Sequence, residues 1–407
     1  MFCGINHTRK EDFSVVWDLG RRCTYACTYC LDHRSNKTSP FVGLEELKKT
    51  LDGVVEYGQL MQQYRSYDLP IDLAFTGGEP TAHPDFFDFL IYAKDKYPFI
   101  RTNLTTNGCY TKRKAELVMK TCHSTTVSYH AEATEQEKKL VIDNIQLMYE
   151  RDYNFRINVM FHKDYWKECE KLCNWLTKRN IRHTARPIGD SGNPKDIEDG
   201  SAHLYNKKQL EYFANQWERK KPKTNSPKKD VMNMTLGRGQ RAEKSIGRPC
   251  CNGKCLSMKI GDKWESGFRV PSTNFNGWHC MINWYFLYIN SELDAVYHHQ
   301  TCQVNLEGEV GPIGKASEFD KIIEPLRKKL RSGKMPVVRC PKFHCGCGLC
   351  APKALHEKDA KEIFEQRTKH LEPQFRKDIG GLDSKETLYH RFKQLDIIEK
   401  DSKNNEK

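Results

Sequence analysis

The chain has 407 residues, 38% of them hydrophobic and 11% aromatic, which is enough for two or three domains at roughly 150 residues each. Its 66 Lys and Arg residues outnumber 53 Asp and Glu residues, for a formal net charge of +13. This composition excludes a disordered or collagen-like chain. The mean hydropathy of −0.75 and the shortness of every apolar run predict no membrane-spanning helix. The polar amino terminus lacks the pattern of a secretory signal and predicts a cytoplasmic location.

Repeated βα units are the pattern of the first half of the chain, where β-rich segments alternate with segments of helical periodicity. The pattern predicts strands at 13–19, 71–76, 100–105, 125–130, 155–162 and 182–187. It predicts helices near 44–65, 84–97, 111–121, 135–151 and 164–179. Thr134, followed three residues later by Glu137, predicts a capping box on the fourth helix. Serial βα crossovers give a parallel sheet, which is either flat with helices on both faces or curled into a full or partial barrel; periodicity leaves this open.

A basic stretch separates this half from the rest of the chain. Residues 219–248 hold ten Lys or Arg and two acidic residues, which indicates a linker or loop. Beyond it, the sequence predicts a hairpin with strands at 283–289 and 295–300, and helices at 315–332 and 352–370. We therefore expect an α/β unit at 1–218, a basic linker at 219–248, a smaller α+β cysteine-rich unit at 249–370 and a charged extension at 371–407.

Seventeen cysteines are many for a cytoplasmic protein, and their number and clustering favour metal binding over a disulfide framework. Three form a Cys-x3-Cys-x2-Cys run after the first predicted strand: Cys23, Cys27 and Cys30. Nine lie in the second half: Cys250, Cys251, Cys255, Cys280, Cys302, Cys340, Cys345, Cys347 and Cys350. Five are expected to be buried small side chains: Cys3, Cys109, Cys122, Cys169 and Cys173. Three thiolates in one loop suit either zinc with a fourth ligand elsewhere or an iron–sulfur cluster with one iron open.

Polar turns follow the second, third and fourth predicted strands, at the ends where βα folds bind ligands. The second strand leads into Gly77-Gly78-Glu79-Pro80, where glycines permit close approach of a ligand and Glu79 offers a carboxylate to an ammonium group. The third leads into Asn107. The fourth leads into His130 and Glu132. His130 is a candidate proton-transfer residue, although contact with cofactor or backbone is the commoner role for such a side chain.

The ends of the first three predicted strands carry the cysteine loop, the Gly-Gly-Glu-Pro turn and the Asn107 turn, and together they resemble the radical S-adenosylmethionine (SAM) superfamily. The resemblance rests on the three clustered cysteines, on Tyr29, on the Gly-Gly-Glu-Pro turn and on their order along the chain. It implies a partial (β/α)6 barrel and a [4Fe–4S] cluster held by Cys23, Cys27 and Cys30. The fourth iron would bind the amino and carboxylate groups of SAM. The resemblance also implies the cofactor contacts: Gly77, Gly78 and Glu79 to the methionine amino group, Tyr29 beside the adenine, and Asn107 as a further candidate.

The cysteines of the second half resemble the auxiliary-cluster region, of SPASM or twitch type, in one branch of that superfamily. The shared arrangement is a cysteine on each side of a hairpin, then a helix and a cysteine cluster. It implies one auxiliary [4Fe–4S] cluster held by Cys280, Cys302 and two of Cys340, Cys345, Cys347 and Cys350. A second cluster would draw on Cys250, Cys251 and Cys255. The spacing of the last four cysteines departs from the usual SPASM pattern and also suits structural zinc, so the number of clusters stays open.

The resemblance implies an enzyme that reductively cleaves SAM to a 5′-deoxyadenosyl radical and abstracts hydrogen from its substrate. A low-potential donor such as flavodoxin or ferredoxin would supply the electron. The favoured substrate is a peptide or protein side chain, as for a maturase or oxidoreductase. The alternatives are a sugar- or nucleoside-modifying dehydrogenase, a glycyl-radical activase and a zinc-dependent nucleic-acid-binding protein. No aromatic residues interleave with the charges of the basic linker, so a nucleic acid is the less favoured partner, and no membrane partner is expected.

Overall fold

Six parallel strands form the first part of the main sheet, in the same order as in the chain. Each strand lies within one residue of its predicted bounds at either end. The strands are β1 (Phe13–Asp18), β2 (Ile71–Thr76), β3 (Arg101–Thr106), β4 (Ser124–His130), β5 (Phe155–Phe161) and β6 (His183–Pro187). The structure is a computed structural model that describes residues 13–30, 36–62, 71–188, 205–209, 212–213, 257–260, 263–266, 276–284, 286–296, 312–331, 337–341, 353–354 and 356.

A helix follows each of the first five strands, as predicted. The helices are α1 (Leu44–Gln62), α2 (Phe86–Lys96), α3 (Lys112–Thr121), α4 (Glu135–Glu150) and α5 (Trp166–Lys178). The capping box on α4 is confirmed, because the Thr134 side chain accepts from the Glu137 amide and the Glu137 side chain accepts from the Thr134 amide.

Alternating burial along the strands answers whether the sheet is flat or curled. In β1, β2 and β4, buried residues alternate strictly with half-buried ones. The buried set packs on the helices: Trp17 meets Phe89 of α2 with ring centroids 5.3 Å apart. A flat doubly wound sheet would carry helices on both faces and bury both sets of residues. One buried and one half-buried set of strand residues, with serial parallel crossovers, therefore give a partial (β/α)6 barrel in which the half-buried set faces the lumen.

The predicted hairpin of the second half is confirmed, and it extends the main sheet. Strand β10 (Phe286–Ile289) pairs in parallel with β1, so that Ser14 lies opposite Phe286, and β11 (Asp294–Val296) and β12 (Gly314–Lys315) continue the same sheet. The predicted helix appears as α6 (Phe319–Arg331). It packs on α1 where Gly53 leaves room for Phe319, because an added Cβ would lie 2.3 Å from the Phe319 Cβ.

A second, smaller sheet contains five short strands in the order β13-β9-β14-β7-β8. They are β7 (Ser257–Ile260), β8 (Lys263–Ser266), β9 (His279–Cys280), β13 (Val338–Arg339) and β14 (Lys353–Ala354). The predicted basic linker, most of the predicted helix at 352–370 and the charged extension lie outside the described residues, so the proposed domain boundaries stay predictions. The start of that helix was predicted wrongly, because Lys353–Ala354 pairs with β7 and β9 as a strand. Among the residues that the structure describes, no helix is long and apolar enough to cross a membrane.

Candidate active site

The three-cysteine loop follows β1 directly and lies at the carboxyl edge of the sheet. The loop is held at its base by Asn36, which accepts from the Cys23 amide at 3.0 Å and donates its own amide to the Arg21 carbonyl at 2.7 Å. Its distal turn closes with the Cys30 amide donating to the Cys27 carbonyl at 3.0 Å. The Cys-x3-Cys-x2-Cys run is therefore a folded turn with its ends pinned by backbone bonds.

The loop thiols are half-buried and form no disulfide. Burial first, and then the charges of Glu132, Cys23 and Cys30, raise the pKa of Cys27 to about 12. Burial likewise raises the pKa of Cys23, with Cys30 among the charges that add to it. The three thiols are thus close enough for the charge of one to raise the pKa of another. A positive metal centre would reverse these shifts, because it stabilises the thiolate form.

The two glycines after β2 lie against the base of the cysteine loop. The Gly78 amide donates to the Gly20 carbonyl at 2.8 Å, and the Glu79 amide donates to the Arg22 carbonyl at 2.7 Å. A Cβ on Gly78 would lie 2.2 Å from the Arg22 oxygen. Gly77 has φ +133°, and its Cβ would lie 2.5 Å from the Gly20 oxygen. From the sequence, the two glycines were predicted to let a ligand come close to the backbone. In the structure, the backbone of the cysteine loop is what lies close to them.

Glu79 is almost fully buried and joins the ends of β2 and β3. Its Oε1 accepts from the Thr81 amide at 3.1 Å, from the Thr81 hydroxyl at 2.7 Å and from the Thr106 hydroxyl at 2.7 Å. Its Oε2 accepts from the Asn107 amide at 2.7 Å. Burial raises the pKa of Glu79, and these hydrogen bonds oppose the rise. The carboxylate is therefore held in one orientation between β2 and β3.

Asn107, after β3, reaches the cysteine loop from the other side of Glu79. Its Nδ2 donates to the Thr24 hydroxyl at 2.8 Å and lies 4.0 Å from the Cys23 sulfur. Its Oδ1 accepts from the Cys109 amide at 2.9 Å, so the side chain is fixed at both ends. The structure thus brings Asn107, predicted from the resemblance as a contact of SAM, into contact with the cysteine loop.

His130, at the end of β4, lies against the middle of the loop. Its Nδ1 is 3.4 Å from the Cys27 sulfur and makes a hydrogen bond with the Tyr29 hydroxyl. The ring of Tyr25 meets the His130 ring edge-on at 5.6 Å, and the ring of Tyr29 lies nearly parallel to it at 5.9 Å. Burial lowers the pKa of His130 to about 4, which leaves the imidazole neutral near pH 7.

Glu132, two residues after His130, binds the same loop at Thr28. Its two carboxylate oxygens accept from the Thr28 amide at 3.0 Å and from the Thr28 hydroxyl at 2.6 Å. The His162 Nε2, at the end of β5, lies 3.5 Å from the Glu132 carboxylate. Thr24, Thr28 and His162 were not among the residues predicted from the sequence to lie in the site. The repeated Cys-Thr-Tyr tripeptide was the available signal for the two threonines, whereas nothing in the sequence singled out His162.

The hairpin from the second half of the chain reaches the root of the loop. The Arg21 guanidinium donates to the Ser291 hydroxyl at 3.1 Å and pairs with Glu292. Tyr288 of β10 donates to Asp18 at 3.4 Å. The turn between β10 and β11 is thus in contact with the residues that lead into Cys23.

Two predicted auxiliary ligands, Cys280 and Cys340, lie on neighbouring strands and are buried. Cys280 is in register with Val338, and the Cys340 amide donates to the Trp278 carbonyl at 2.8 Å. Residues 338 and 340 share a face of their strand, so the two cysteines are diagonal neighbours on one face. The other predicted ligands lie outside the described residues: Cys302, Cys345, Cys347, Cys350, Cys250, Cys251 and Cys255. The expectation of buried small side chains is confirmed for Cys122, Cys169 and Cys173; Cys109 is half-buried and Cys3 lies outside the described residues.

The residues of the loop fit the chemistry of an iron–sulfur cluster. They supply soft thiol ligands in a pinned turn, and a buried carboxylate stands beside them. Among the described residues, no three His, Cys, Asp or Glu side chains converge at the distances that a single metal ion needs. The ligands of a cluster bind different irons, so they lie further apart than those of a single ion.

Comparison with known proteins gives matches in the same part of the chain. A profile described as the radical SAM superfamily matches residues 17–199. GTP 3′,8-cyclase of Vibrio parahaemolyticus serotype O3:K6 (strain RIMD 2210633) is 25% identical over 191 residues, which cover 43% of this chain and 54% of that protein. Fe-coproporphyrin III synthase of Methanosarcina barkeri (strain Fusaro / DSM 804) is 31% identical over 103 residues, 25% of this chain and 22% of that protein. The chain thus spans about half, or less, of these relatives.

Among solved structures, native anSMEcpe with bound AdoMet and Cp18Cys peptide resembles this chain with a TM-score of 0.46 and 14% identity, over 91% of this chain and 100% of that one. The profile match carries the assignment, because residues 17–199 run from β1 through β6 and include the cysteine loop and the Glu79 turn. Residues 17–199 therefore match the radical SAM superfamily.

Proposed function

We propose that this chain is a radical SAM enzyme, which binds a [4Fe–4S] cluster through Cys23, Cys27 and Cys30 and cleaves SAM reductively. The observation that carries the proposal is the pinned loop of three half-buried thiols, free of disulfides, at the carboxyl edge of the sheet. When bound, the cluster and SAM supply a 5′-deoxyadenosyl radical that removes a hydrogen atom from the substrate. The residues of the chain bind, orient and shield these groups.

Glu79 is the residue that we assign to the amino group of SAM, together with the carbonyl oxygens of Gly77 and Gly78. Oε1 of Glu79 accepts three hydrogen bonds and Oε2 accepts one, from Asn107, so Oε2 has capacity for a further donor. An ammonium group beside it would lower the raised pKa of the carboxyl and favour the charged form. The amides of Gly78 and Glu79 are already bound to the loop backbone, so carbonyl oxygens are what the glycines offer.

Tyr29 is assigned to the neighbourhood of the adenine, and His130 orients it through the hydrogen bond to its hydroxyl. A neutral imidazole suits this role, since it leaves no isolated buried charge beside Cys27. Proton transfer by His130 stays a prediction. The same ring contacts Tyr25 and Tyr29, which supports a shielding function for the three aromatic side chains over the loop.

The mostly polar side chains on the lumen face of the barrel favour a polar substrate. On the open face of β1 to β5, only Val16, Ala74 and Met160 are apolar, whereas closed barrels fill this space with branched apolar residues. Asn158 of β5 faces the lumen, and its Oδ1 is buried without a hydrogen-bond partner among the described residues. Buried polar atoms are nearly always bonded, so a donor from a bound molecule would complete this site. Backbone amides of a peptide and ring nitrogens of a base both qualify.

A peptide or protein side chain is the substrate that we propose, with the enzyme acting as a maturase or oxidoreductase. The support comes from the second half of the chain, where Cys280 and Cys340 lie as neighbours on one face. We propose that they are ligands of an auxiliary [4Fe–4S] cluster with Cys302 and one of Cys345, Cys347 and Cys350. Such a cluster would accept the electron left on a substrate radical. A flavodoxin or ferredoxin is the proposed donor to the first cluster, and the cytoplasm is the proposed location.

The test is anaerobic purification of the full chain, with iron and acid-labile sulfide analysis, followed by measurement of 5′-deoxyadenosine and methionine after reduction in the presence of SAM. Cys30→Ala should lose iron and abolish cleavage, because the loop then offers two ligands. Cys109→Ala is the matched control, since this half-buried thiol lies outside the loop. Cleavage at the wild-type rate in Cys30→Ala would refute the cluster site. Zinc without acid-labile sulfide would favour the structural zinc alternative.

A nucleotide is the second candidate substrate, because relatives of this chain carry the name GTP 3′,8-cyclase. The discriminating measurement is the yield of 5′-deoxyadenosine with GTP or with candidate precursor peptides added to the reduced enzyme and SAM. Stimulation by GTP alone would replace the peptide proposal. Stimulation by a peptide, with a matching loss of hydrogen from the peptide by mass spectrometry, would support it.

A further inference from the structure

The cysteine loop contains the tripeptide Cys-Thr-Tyr twice, at 23–25 and at 27–29. In each copy a proposed cluster ligand is followed by a threonine and then by a tyrosine. Both threonines are exposed residues on a tight loop, where a hydroxyl serves no packing purpose. Their hydrogen-bond partners therefore show what the repeat does.

The first threonine is held from β3. Asn107 donates from Nδ2 to the Thr24 hydroxyl at 2.8 Å. Asn107 is itself buried and fixed by two further bonds, in which its amide donates to Glu79 and its Oδ1 accepts from the Cys109 amide. A donor with so little freedom sets the position of the residue that it binds.

The second threonine is held from β4. Glu132 accepts from both the amide and the hydroxyl of Thr28, at 3.0 and 2.6 Å. Two bonds to one residue fix its orientation as well as its position. The Glu132 side chain is only 14% exposed, and His162 lies 3.5 Å away on its other side, so the carboxylate has little freedom of its own.

The two tyrosines meet at one side chain. Tyr25 contacts the His130 ring edge-on and Tyr29 lies nearly parallel to it, with ring centroids 5.6 and 5.9 Å away. The loop is therefore bound to the barrel at three places. Thr24 binds Asn107, Thr28 binds Glu132, and the two tyrosines and Cys27 contact His130 at the end of β4.

We propose that Asn107 and Glu132 are positioning residues, which act through Thr24 and Thr28 to fix the directions of Cys23 and Cys27 before any metal is bound. The backbone of each cysteine is constrained because the next residue is anchored. Outer contacts of this kind orient metal ligands and tune the metal. Asn107 was predicted from the resemblance to contact SAM directly, whereas this proposal has it act by positioning the cysteine loop. The inference rests on the proposed function only in taking the cysteines as cluster ligands.

The first experiment uses the metal-free full chain, so it is independent of the cluster. Hydrogen exchange of the segment 23–30 is measured in wild type, in Glu132→Ala and in Glu135→Ala. Glu135 is the matched control, because it lies three residues further on and bonds to Lys138, away from the loop. We expect the Thr28 amide to exchange about tenfold faster in Glu132→Ala, since a hydrogen bond to a charged acceptor is lost. The control should exchange as wild type does.

The second experiment uses the reconstituted protein and the pair Thr28→Val and Thr28→Ser. Thr28→Val should release iron to a chelator about tenfold faster and shift the electron paramagnetic resonance signal of the reduced cluster, whereas Thr28→Ser should restore both. Equal exchange in Glu132→Ala and Glu135→Ala would overturn the proposal, as would a Thr28→Ser variant that behaves like Thr28→Val. Should Glu132→Ala fail to fold by circular dichroism, the Thr28 pair decides. Failure to bind iron at all would refute the proposed function while leaving the exchange result valid.

Discussion

Substitution of the glycines at the base of the cysteine loop tests how the loop is supported. Three glycines separate two physical effects. Gly20 has φ +141° and open space at its Cβ position, so Gly20→Ala introduces backbone strain alone. Gly78 has no unusual φ, but its Cβ would lie 2.2 Å from the Arg22 oxygen and 2.6 Å from the Arg21 oxygen, so Gly78→Ala introduces overlap alone. Gly77→Ala introduces both effects.

The magnitudes follow from these contacts. Gly20→Ala should cost about 1–3 kcal/mol for an unfavourable φ, reduced by about 0.5 kcal/mol because alanine has fewer conformations in the unfolded chain. Gly78→Ala should cost about 3–5 kcal/mol. The overlap contributes about 1–3 kcal/mol, and the displaced hydrogen bonds from Gly78 to Gly20 and from Glu79 to Arg22 contribute about 1 kcal/mol each. Gly77→Ala should be the least stable of the three.

The assay is thermal unfolding of the full chain by calorimetry, with the transition of the barrel compared among the three variants. A loss of about 3 kcal/mol lowers the melting temperature of a unit of this size by roughly 6–12 °C. We expect Gly20→Ala to be the least destabilised, Gly78→Ala to be intermediate and Gly77→Ala to be the most destabilised. The reasoning is refuted if Gly78→Ala melts no lower than Gly20→Ala, because the Arg22 carbonyl would then have moved away at no cost.

Two further predictions concern buried polar groups. Burial raises the pKa of Asp18 to about 6, above its ordinary value of 3.8, so the folded state binds the proton more tightly and the carboxyl lowers stability as pH rises through 6. Asp18→Asn should therefore raise the free energy of unfolding at pH 7.5 by at most about 3 kcal/mol. The difference between the variant and wild type should vanish near pH 4. Urea unfolding at both pH values is the measurement, and an equal difference at the two would contradict this prediction. The Tyr205 hydroxyl accepts from the Ile188 amide at 2.6 Å and donates to the Phe161 carbonyl at 2.8 Å, both buried. Tyr205→Phe should cost about 1–3 kcal/mol in urea unfolding because the Ile188 amide loses its partner, and an unchanged midpoint would show that another acceptor replaces the hydroxyl.

The strands and helices of the barrel were predictable because each carries its own local signal. Strands β1 to β6 are short, rich in β-branched and aromatic residues, and bounded by polar turns, and the capping box of Thr134 and Glu137 acts within a single turn of helix. The hairpin at β10 and β11 and helix α6 were predicted for the same reason. The strands of the second sheet, such as β9 and β13, are two residues long and carry no periodicity, so only their pairing defines them.

The candidate site was predictable as a set of residue types and not as a set of contacts. The loop of Cys23, Cys27 and Cys30 is contiguous, so its spacing was visible in the chain. The contacts of Asn107 with Thr24 and of Glu132 with Thr28 join residues 83 and 104 positions apart. No periodicity links such distant positions. The repeated Cys-Thr-Tyr tripeptide was in view, but its meaning depends on which strand ends lie next to it.

The sequence by itself determined the six βα units, the three-cysteine loop and the match of residues 17–199 to the radical SAM superfamily, because local hydrophobic patterning and short motifs act over a few residues. Periodicity left the curl of the sheet open, although the resemblance implied a barrel. Tertiary structure alone decided that Gly77 and Gly78 lie against the loop rather than against open space, and that β10 lies beside β1. These outcomes depend on which surfaces are buried against each other. That choice is made by the summed packing of segments far apart in the chain, and no single segment encodes it.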